Sequence, residues 1–396
     1  MSSLIHKFKK YTLYYFIAFC LISSAVMFIP NRMIFYILGI IFLIFYSIKD
    51  NIPSNKGYMF IIFYFMCLLS AIVNWVFDYR LFLFACILFF TTPITISRKI
   101  MIFRERFIFC SLMIFPILTI ASLYCYYAGI NMMSREEGDV SWDFSAFFPH
   151  SMWLAAAIGI ANTTLMWLIL NINSIIHKLL CIFLLLASIF LSVVSASRTA
   201  LVAFSISMIY ILIIESKDLK KLLLYIIIGI SLLSIVYPYY LKSSGRMQAK
   251  IEYGKGDIFK SRNELFTGGF THLEESPIVG SGFATAYYND KKVVGRLESG
   301  SGWLSVLFQT GLLGFTTLLV IMIKLRRSFP FIKTYKRLHL FSAVFIFICL
   351  HSCFEGYILT SGYYLCILFW SLLGYLYAVP YYYKKNTCKS NYCIKR

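Results

Sequence analysis

Arg198 is the side chain best placed by its surroundings to hold an anion. It stands in Ser195-Ala196-Ser197-Arg198-Thr199-Ala200, at the junction of two apolar runs, with no acidic residue within fifteen positions on either side. An arginine so placed is costly unless it is paired or lies against water or phosphate. One reading is a side chain that snorkels to a membrane interface. The other is a fixed guanidinium fork for a diphosphate, whose paired oxygens suit a planar bidentate donor better than lysine. Arg262 is a second candidate, because Ser261-Arg262-Asn263-Glu264-Leu265-Phe266 reads as the start of a short helix. Ser261 would cap it, and Glu264 would complete a capping box. Two arginines together would neutralise a lipid-linked diphosphate and stabilise it as a leaving group. Arg246 and Arg296 are weaker alternatives in the same stretch.

The elements that must hold these residues follow from composition. The chain is 60% hydrophobic and only 14% charged, with a mean hydropathy of +0.77. A soluble globule cannot hide that much apolar surface. Apolar runs of about 17 to 23 residues match the length a helix needs to cross a bilayer. Lipid offers the backbone no hydrogen-bond partner, and runs without period-2 alternation exclude barrel strands. The expectation is an all-α polytopic membrane protein of about twelve spans: 12–29, 33–48, 58–77, 81–97, 107–130, 151–171, 179–196, 199–214, 222–238, 302–323, 338–356 and 358–379. The first has no small-residue cleavage site and is followed at once by a second, so it reads as a span rather than a leader.

The net charge of +20 invites a nucleic-acid reading, but its distribution argues against one. Basic residues cluster in alternate connections: Lys7 to Lys10, Arg98 to Arg106, Lys324 to Arg337, and Lys384 to Arg396. The positive-inside rule puts all of these in the cytoplasm, with both termini. The connection from Ser134 to Phe144 carries Arg135 against Glu136, Glu137, Asp139 and Asp143, and is expected outside.

The same count places one long polar stretch, 239–301, outside. It has nine Lys/Arg against seven Asp/Glu, so it is not simply a patch for polyanions. Connections this long are functional or disordered. The apolar anchors Leu265, Phe266, Phe270, Ile278 and Val279 point to short helices at the interface. A solvated connector is the plainer alternative. All eleven cysteines lie in apolar spans or the basic tail, so no external disulfide is expected. No phosphate-binding glycine loop, dinucleotide fingerprint or HExxH occurs, and Cys388 and Cys393 lack partner histidines. No metal and no cofactor are expected.

Taken in order, Ser197-Arg198-Thr199-Ala200, Ser261-Arg262, Ser276-Pro277-Ile278-Val279-Gly280-Ser281-Gly282-Phe283, Gly311-Leu312-Leu313-Gly314 and the late Glu355 form a pattern over roughly 180–380. It resembles the O-antigen ligase and polymerase superfamily of bacterial envelope glycosyltransferases. The resemblance implies an inverting, metal-independent enzyme of the third structural class of glycosyltransferases (GT-C-like). Such an enzyme takes glycan from undecaprenyl diphosphate at the outer face of the bacterial inner membrane. It further implies that Arg198 and Arg262 hold the diphosphate, and that a chain-length regulator is a protein partner. It divides the chain into an N-terminal bundle (1–178), a catalytic region (179–380) and a basic cytoplasmic tail (381–396). The ligases of this family usually carry a histidine just before the Gly-Leu-Leu-Gly helix. Here Glu298-Ser299-Gly300-Ser301-Gly302-Trp303 stands instead. That departure favours a repeat-unit polymerase.

A polymerase's nucleophile is a sugar hydroxyl, which benefits from a carboxylate base. Glu298 is the candidate, although an acid here also suits the dipole of a helix N-terminus. His351 and Glu355 are spaced one helical turn apart and would face one another, lining an acceptor site or serving as polar packing between helices. Tyr287 and Tyr288 are candidates for stacking on sugar rings. His272 reads as a solvated loop histidine, Asp78 and Arg80 as interfacial charges, and Gly311 and Gly314 as allowing close helix packing. The alternatives are a ligase acting on lipid A core, disfavoured by the missing histidine, and a transporter, disfavoured by the lack of internal repeats and of charges deep in the spans.

Overall fold

A computed structural model describes residues 2–48, 54–132, 144–216, 263–288, 291–295 and 300–387, with Ser234, Pro238 and Lys242 besides. The helices in order are α1 (Ser2–Ile22), α2 (Arg32–Ile48), α3 (Tyr58–Val73), α4 (Tyr79–Thr91), α5 (Arg98–Tyr127), α6 (Ser151–Asn171), α7 (Ile175–Val194) and α8 (Arg198–Glu215). There follow α9 (Asn263–Glu275), a hairpin of β1 (Thr285–Tyr288) and β2 (Lys291–Val294), α10 (Gly302–Lys324), α11 (Lys336–His351) and α12 (Tyr364–Thr387). Seven helical stretches among the described residues are long and apolar enough to cross a bilayer. The expected spans 12–29, 33–48 and 81–97 meet shorter apolar helices, and 338–356 meets the 16-residue α11. The expected span 222–238 lies outside the described residues, apart from Ser234 and Pro238.

Apolar surface is arranged as lipid requires. In α2 the buried positions are Tyr36, Gly39, Ile40, Leu43 and Ser47. Ile34, Ile37, Ile41, Phe45 and Ile48 form an exposed stripe on its other face. A helix apolar on both faces belongs between protein and hydrocarbon. The centre is α12, almost wholly buried. Its Trp370 packs edge-on to Phe84 at 5.4 Å and tilted against Phe63 at 5.4 Å.

Several helix starts carry side-chain caps. Asp78 accepts from the Arg80 N–H at 2.8 Å, Ser97 from Ile100 at 3.1 Å and Ser301 from Leu304 at 3.3 Å, each satisfying an N–H that has no partner within its helix. Two boundaries differ from expectation. The basic cluster Arg98–Arg106 is not a connection but the first turns of the 30-residue α5. Arg104 is buried there, donating to the Phe90 carbonyl at 2.7 Å and to the Thr95 carbonyl and hydroxyl, each at 3.1 Å. It thereby satisfies a carbonyl in the last turn of α4 and one in the link beyond it, and the helix dipole favours a cation at that position.

The second difference lies between α11 and α12. Residues 352–363 are not helical, yet Tyr357, Ile358 and Leu359 are buried. The Ile358 carbonyl accepts from the Trp370 indole N–H at 2.9 Å. Irregular backbone of this kind is tolerated at depth only where protein supplies its partners.

Candidate active site

Arg198 opens α8 after a sharp turn. The turn is made by Ala196 in the left-handed region (φ 54°), with the Ser195 hydroxyl returned to the Ser192 carbonyl at 2.9 Å. Ser197 occupies the cap position, but its side chain makes no cap hydrogen bond and lies 3.4 Å from the Thr199 hydroxyl instead. The first turn of α8 therefore presents N–H groups together with a half-buried guanidinium. That is the electrostatic arrangement helix N-termini offer to phosphates. Arg198 has no hydrogen bond or ion pair among the described residues.

Polar contacts along α8 show what stands level with it. Glu215 meets His339 at 2.8 Å, Tyr210 meets Ser342 at 3.0 Å, and the Ser207 hydroxyl donates to the Ala343 carbonyl at 2.7 Å. The numbers rise on α11 as they fall on α8, so the two helices run antiparallel. At about 1.5 Å rise per residue, Arg198 comes to the height of the end of α11, near His351 and Ser352. Thr163 on α6 meets Ser207 at 3.2 Å, which by the same reckoning puts Trp153 at this end too.

The end of α11 is a dense polar and aromatic cluster. His351 is buried between Phe347 and Tyr357, stacked at 5.4 Å and 5.8 Å, and its Nδ1 lies 3.2 Å from the Tyr357 hydroxyl. Tyr357 donates to the Ile348 carbonyl at 2.8 Å. Tyr363 stacks on Trp153 at 3.9 Å. Glu355 is buried in the same segment, at 8% exposure. Because α11 ends with Ser352 as its C-cap, Glu355 lies beyond the helix. His351 and Glu355 therefore do not share a helix face, since that spacing holds only inside a helix.

The start of α10 is pressed onto this cluster. The Gly302 N–H donates to the Ser352 carbonyl at 2.7 Å, and the Trp303 indole donates to the Cys349 carbonyl at 3.0 Å. A Cβ on Gly302 would stand 3.0 Å from both the Glu355 carbonyl oxygen and Ile358, a tight approach.

The Pro277–Gly282 motif has a structural meaning. Helix α10 breaks at Gly311 (φ 64°, ψ −169°). The N–H groups this frees, on Leu312 and Leu313, donate to the carbonyls of Pro277 at 2.9 Å and Ile278 at 3.2 Å. On the other side of the break, the Phe308 and Gln309 carbonyls accept from Ser281 at 2.8 Å and Gly282 at 3.3 Å. The loop thus supplies the hydrogen bonds the helix has lost. A Cβ on Gly311 would meet the Ile278 oxygen at 2.2 Å, and one on Gly280 would meet the Gly311 nitrogen at 2.5 Å. Both glycines have positive φ. Gly311 thus marks a broken helix, not merely a close helix contact, and the loop locks into it.

Asn74 donates to the Gly280 carbonyl at 2.9 Å, and α9 packs on α10 through Phe270 and Phe308, edge to face at 5.1 Å. The hairpin is held from the other side. Arg80 donates to the Gly295 carbonyl, and the Arg80 carbonyl accepts from Ser361 at 3.0 Å. The charges expected to be interfacial thus tie hairpin, α4 and the 352–363 segment together. His272 is not a free loop histidine but meets Glu275 at 2.9 Å within α9.

The structure therefore brings Arg198, His351 and Glu355 to one end of the bundle, beside the start of α10. Arg246, Arg262, Arg296 and Glu298 lie outside the described residues. Tyr287 and Tyr288 lie in β1, in register with Lys292 and Lys291; their side chains are outside the described set. Sequence reasoning missed Tyr357, Tyr363 and Trp153. The one signal for them was polar and aromatic residues gathered between two apolar runs, in Glu355-Gly356-Tyr357.

Residues 180–319 match the family model described as O-Antigen ligase. The match runs from α7 through α8, α9 and the hairpin into α10, so it contains both Arg198 and the interlocked loop. Comparison with curated proteins returned no match.

Proposed function

We propose, from the premise that residues 180–319 belong to the O-antigen ligase-related superfamily, that the chain is a repeat-unit polymerase of envelope polysaccharide. The family match and the apolar helices make it a multi-pass membrane enzyme of the O-antigen ligase and polymerase type. In the proposed reaction, glycan on undecaprenyl diphosphate passes to a sugar hydroxyl of a lipid-linked acceptor. Transfer takes place at the outer face of the bacterial inner membrane, with both termini cytoplasmic and a chain-length regulator as partner. Residues 1–178 serve as scaffold and 179–380 as the catalytic region.

The observation that carries this reading is Arg198. It is a guanidinium at an uncapped helix start, without a partner among the described residues and level with a buried cluster of aromatic side chains that includes Glu355. The diphosphate needs a cation when it departs, because the breaking glycosidic bond leaves its electrons on a phosphate oxygen. Arg198 supplies one such contact, and Arg262 is proposed as the second. Glu298 is proposed to take the proton of the attacking hydroxyl, making the transfer a direct, inverting displacement that needs no metal. Tyr287 and Tyr288 would stack on the sugars, while His351 and Glu355 line the acceptor side. Arg246 and Arg296 are secondary diphosphate contacts.

The test is alanine substitution at Arg198 and at Arg262, read as polymer length on carrier lipid. Long chains at normal abundance in both variants would end this mechanism. A second reading compatible with the same family match is a ligase that moves finished glycan to lipid A core. Deleting the gene separates the two. Without a polymerase, single repeats still reach core. Without a ligase, core stays bare and polymer accumulates on the carrier.

A further inference from the structure

At the end of the bundle opposite Arg198, the start of α3, the end of α10 and the end of α12 enclose a cleft of about 530 Å³. Its lining is basic and phenolic. Lys56, Lys324 and Arg327 meet there with Tyr58, Tyr377 and Tyr381. Each cation is held by an aromatic ring or a phenol rather than by a carboxylate. Lys324 donates to the Tyr58 hydroxyl at 3.0 Å and lies 4.8 Å from the centre of its ring. Arg327 donates to the Tyr381 hydroxyl at 3.3 Å, and Lys56 lies 5.7 Å over the Tyr381 ring. No acidic side chain pairs with any of the three among the described residues. Phenols orient an ammonium or guanidinium but leave its charge intact, so the cleft gathers three positive charges.

The walls next to the cleft are greasy. Ile61, Ile62 and Phe65 on α3, with Leu319, Val320 and Ile323 on α10, are exposed large apolar residues. They continue along the two helices from the cations, as acyl chains continue from a headgroup. Basic pockets between membrane helices bind anionic headgroups by this combination.

We propose that Lys56, Lys324 and Arg327 form a binding site for the phosphate of an anionic phospholipid, whose acyl chains lie on the apolar flanks of α3 and α10. The site is separate from the proposed transfer site and does not depend on it. Its phosphate chemistry is shared by free phosphates, and only the tail distinguishes them.

The experiment is native mass spectrometry of the full chain in detergent, offered phosphatidylglycerol and phosphatidylethanolamine of equal chain length. The wild-type chain is expected to retain phosphatidylglycerol preferentially. A cation near an anionic lipid is worth about fivefold in affinity, so the K324Q/R327Q double variant should bind it about 25-fold more weakly. Arg326→Gln removes an exposed charge that does not line the cleft and should leave the preference unchanged. If the double variant does not fold, Lys56→Gln serves alone, with about a fivefold loss. Equal retention of the two lipids, an unchanged preference in the cleft variant, or an equal loss in Arg326→Gln would each overturn the proposal. Inorganic pyrophosphate at millimolar concentration is expected to leave the lipid bound. Full displacement would make the site one for free phosphate and overturn the lipid assignment.

Discussion

Charged residues stand at both ends of this helical bundle, but they are used differently. At the end where α11 begins, several charges answer one another within the chain, whereas the three cations of the tyrosine-lined cleft do not. Arg337 meets Glu105 at 2.6 Å, His339 meets Glu215 at 2.8 Å, and the Asn171 amide donates to the same Glu215 at 3.1 Å. Even the buried Arg104 has three acceptors. At the other end, Arg198 has no such partner among the described residues, although it stands in comparably apolar surroundings. A buried charge with its partner in the same chain is building material, because desolvation has been offset at folding. A charge held without one must lie against water or a bound anion. The contrast separates structural charges from candidate working ones more sharply than their sequence neighbourhoods do.

The contrast can be broken in stages. Arg198→Ala should lower the transfer rate by about 100- to 1,000-fold while leaving thermal unfolding in detergent unchanged; Arg198→Lys should recover part of that loss. A normal rate in purified Arg198→Ala would erase the distinction between the two ends. Next comes Gly311→Ala, which places a methyl against the Ile278 carbonyl at a positive φ. Strain and overpacking together should destabilise by about 3 kcal/mol, measured as folded yield and melting temperature. An unchanged melting temperature would mean the loop does not repair the break. Glu215→Gln keeps the shape of the buried contact but removes its charge, and should destabilise by about 1–2 kcal/mol with the rate per folded molecule intact. Glu105→Gln should do least. Arg337 is partly exposed, so a loss of about 1 kcal/mol or less in unfolding free energy is expected. A fall in rate for either carboxamide variant would show that charges at this end also serve transfer.

How much of this was legible beforehand depended on where the relevant partners lie in the chain. Arg198 was readable because a lone cation in an apolar run is anomalous by itself. The helices at most expected spans were readable because hydropathy and length are local properties. The break at Gly311 was not. Its motif residues were visible, but Gly311 and Gly280 stand about thirty positions apart, and only folding shows that each fills the space left by the other's missing side chain. The 352–363 segment was misread as parts of two spans, since Tyr357, Ile358 and Leu359 are as apolar as helix and hydropathy does not register where their backbone groups bond. Arg104 was grouped with loop cations because charge counting is blind to burial.

The order of the interlocked pieces along the chain has a bearing on biogenesis. Residues 276–283 leave the ribosome before Gly311 does, so the patch exists before the gap it mends. When the last transmembrane segments enter the bilayer, the exposed amides of Leu312 and Leu313 find waiting carbonyls, and the fracture need never face hydrocarbon. Moving this loop downstream of the helix by circular permutation would reverse that sequence of events and should divert the nascent protein toward degradation.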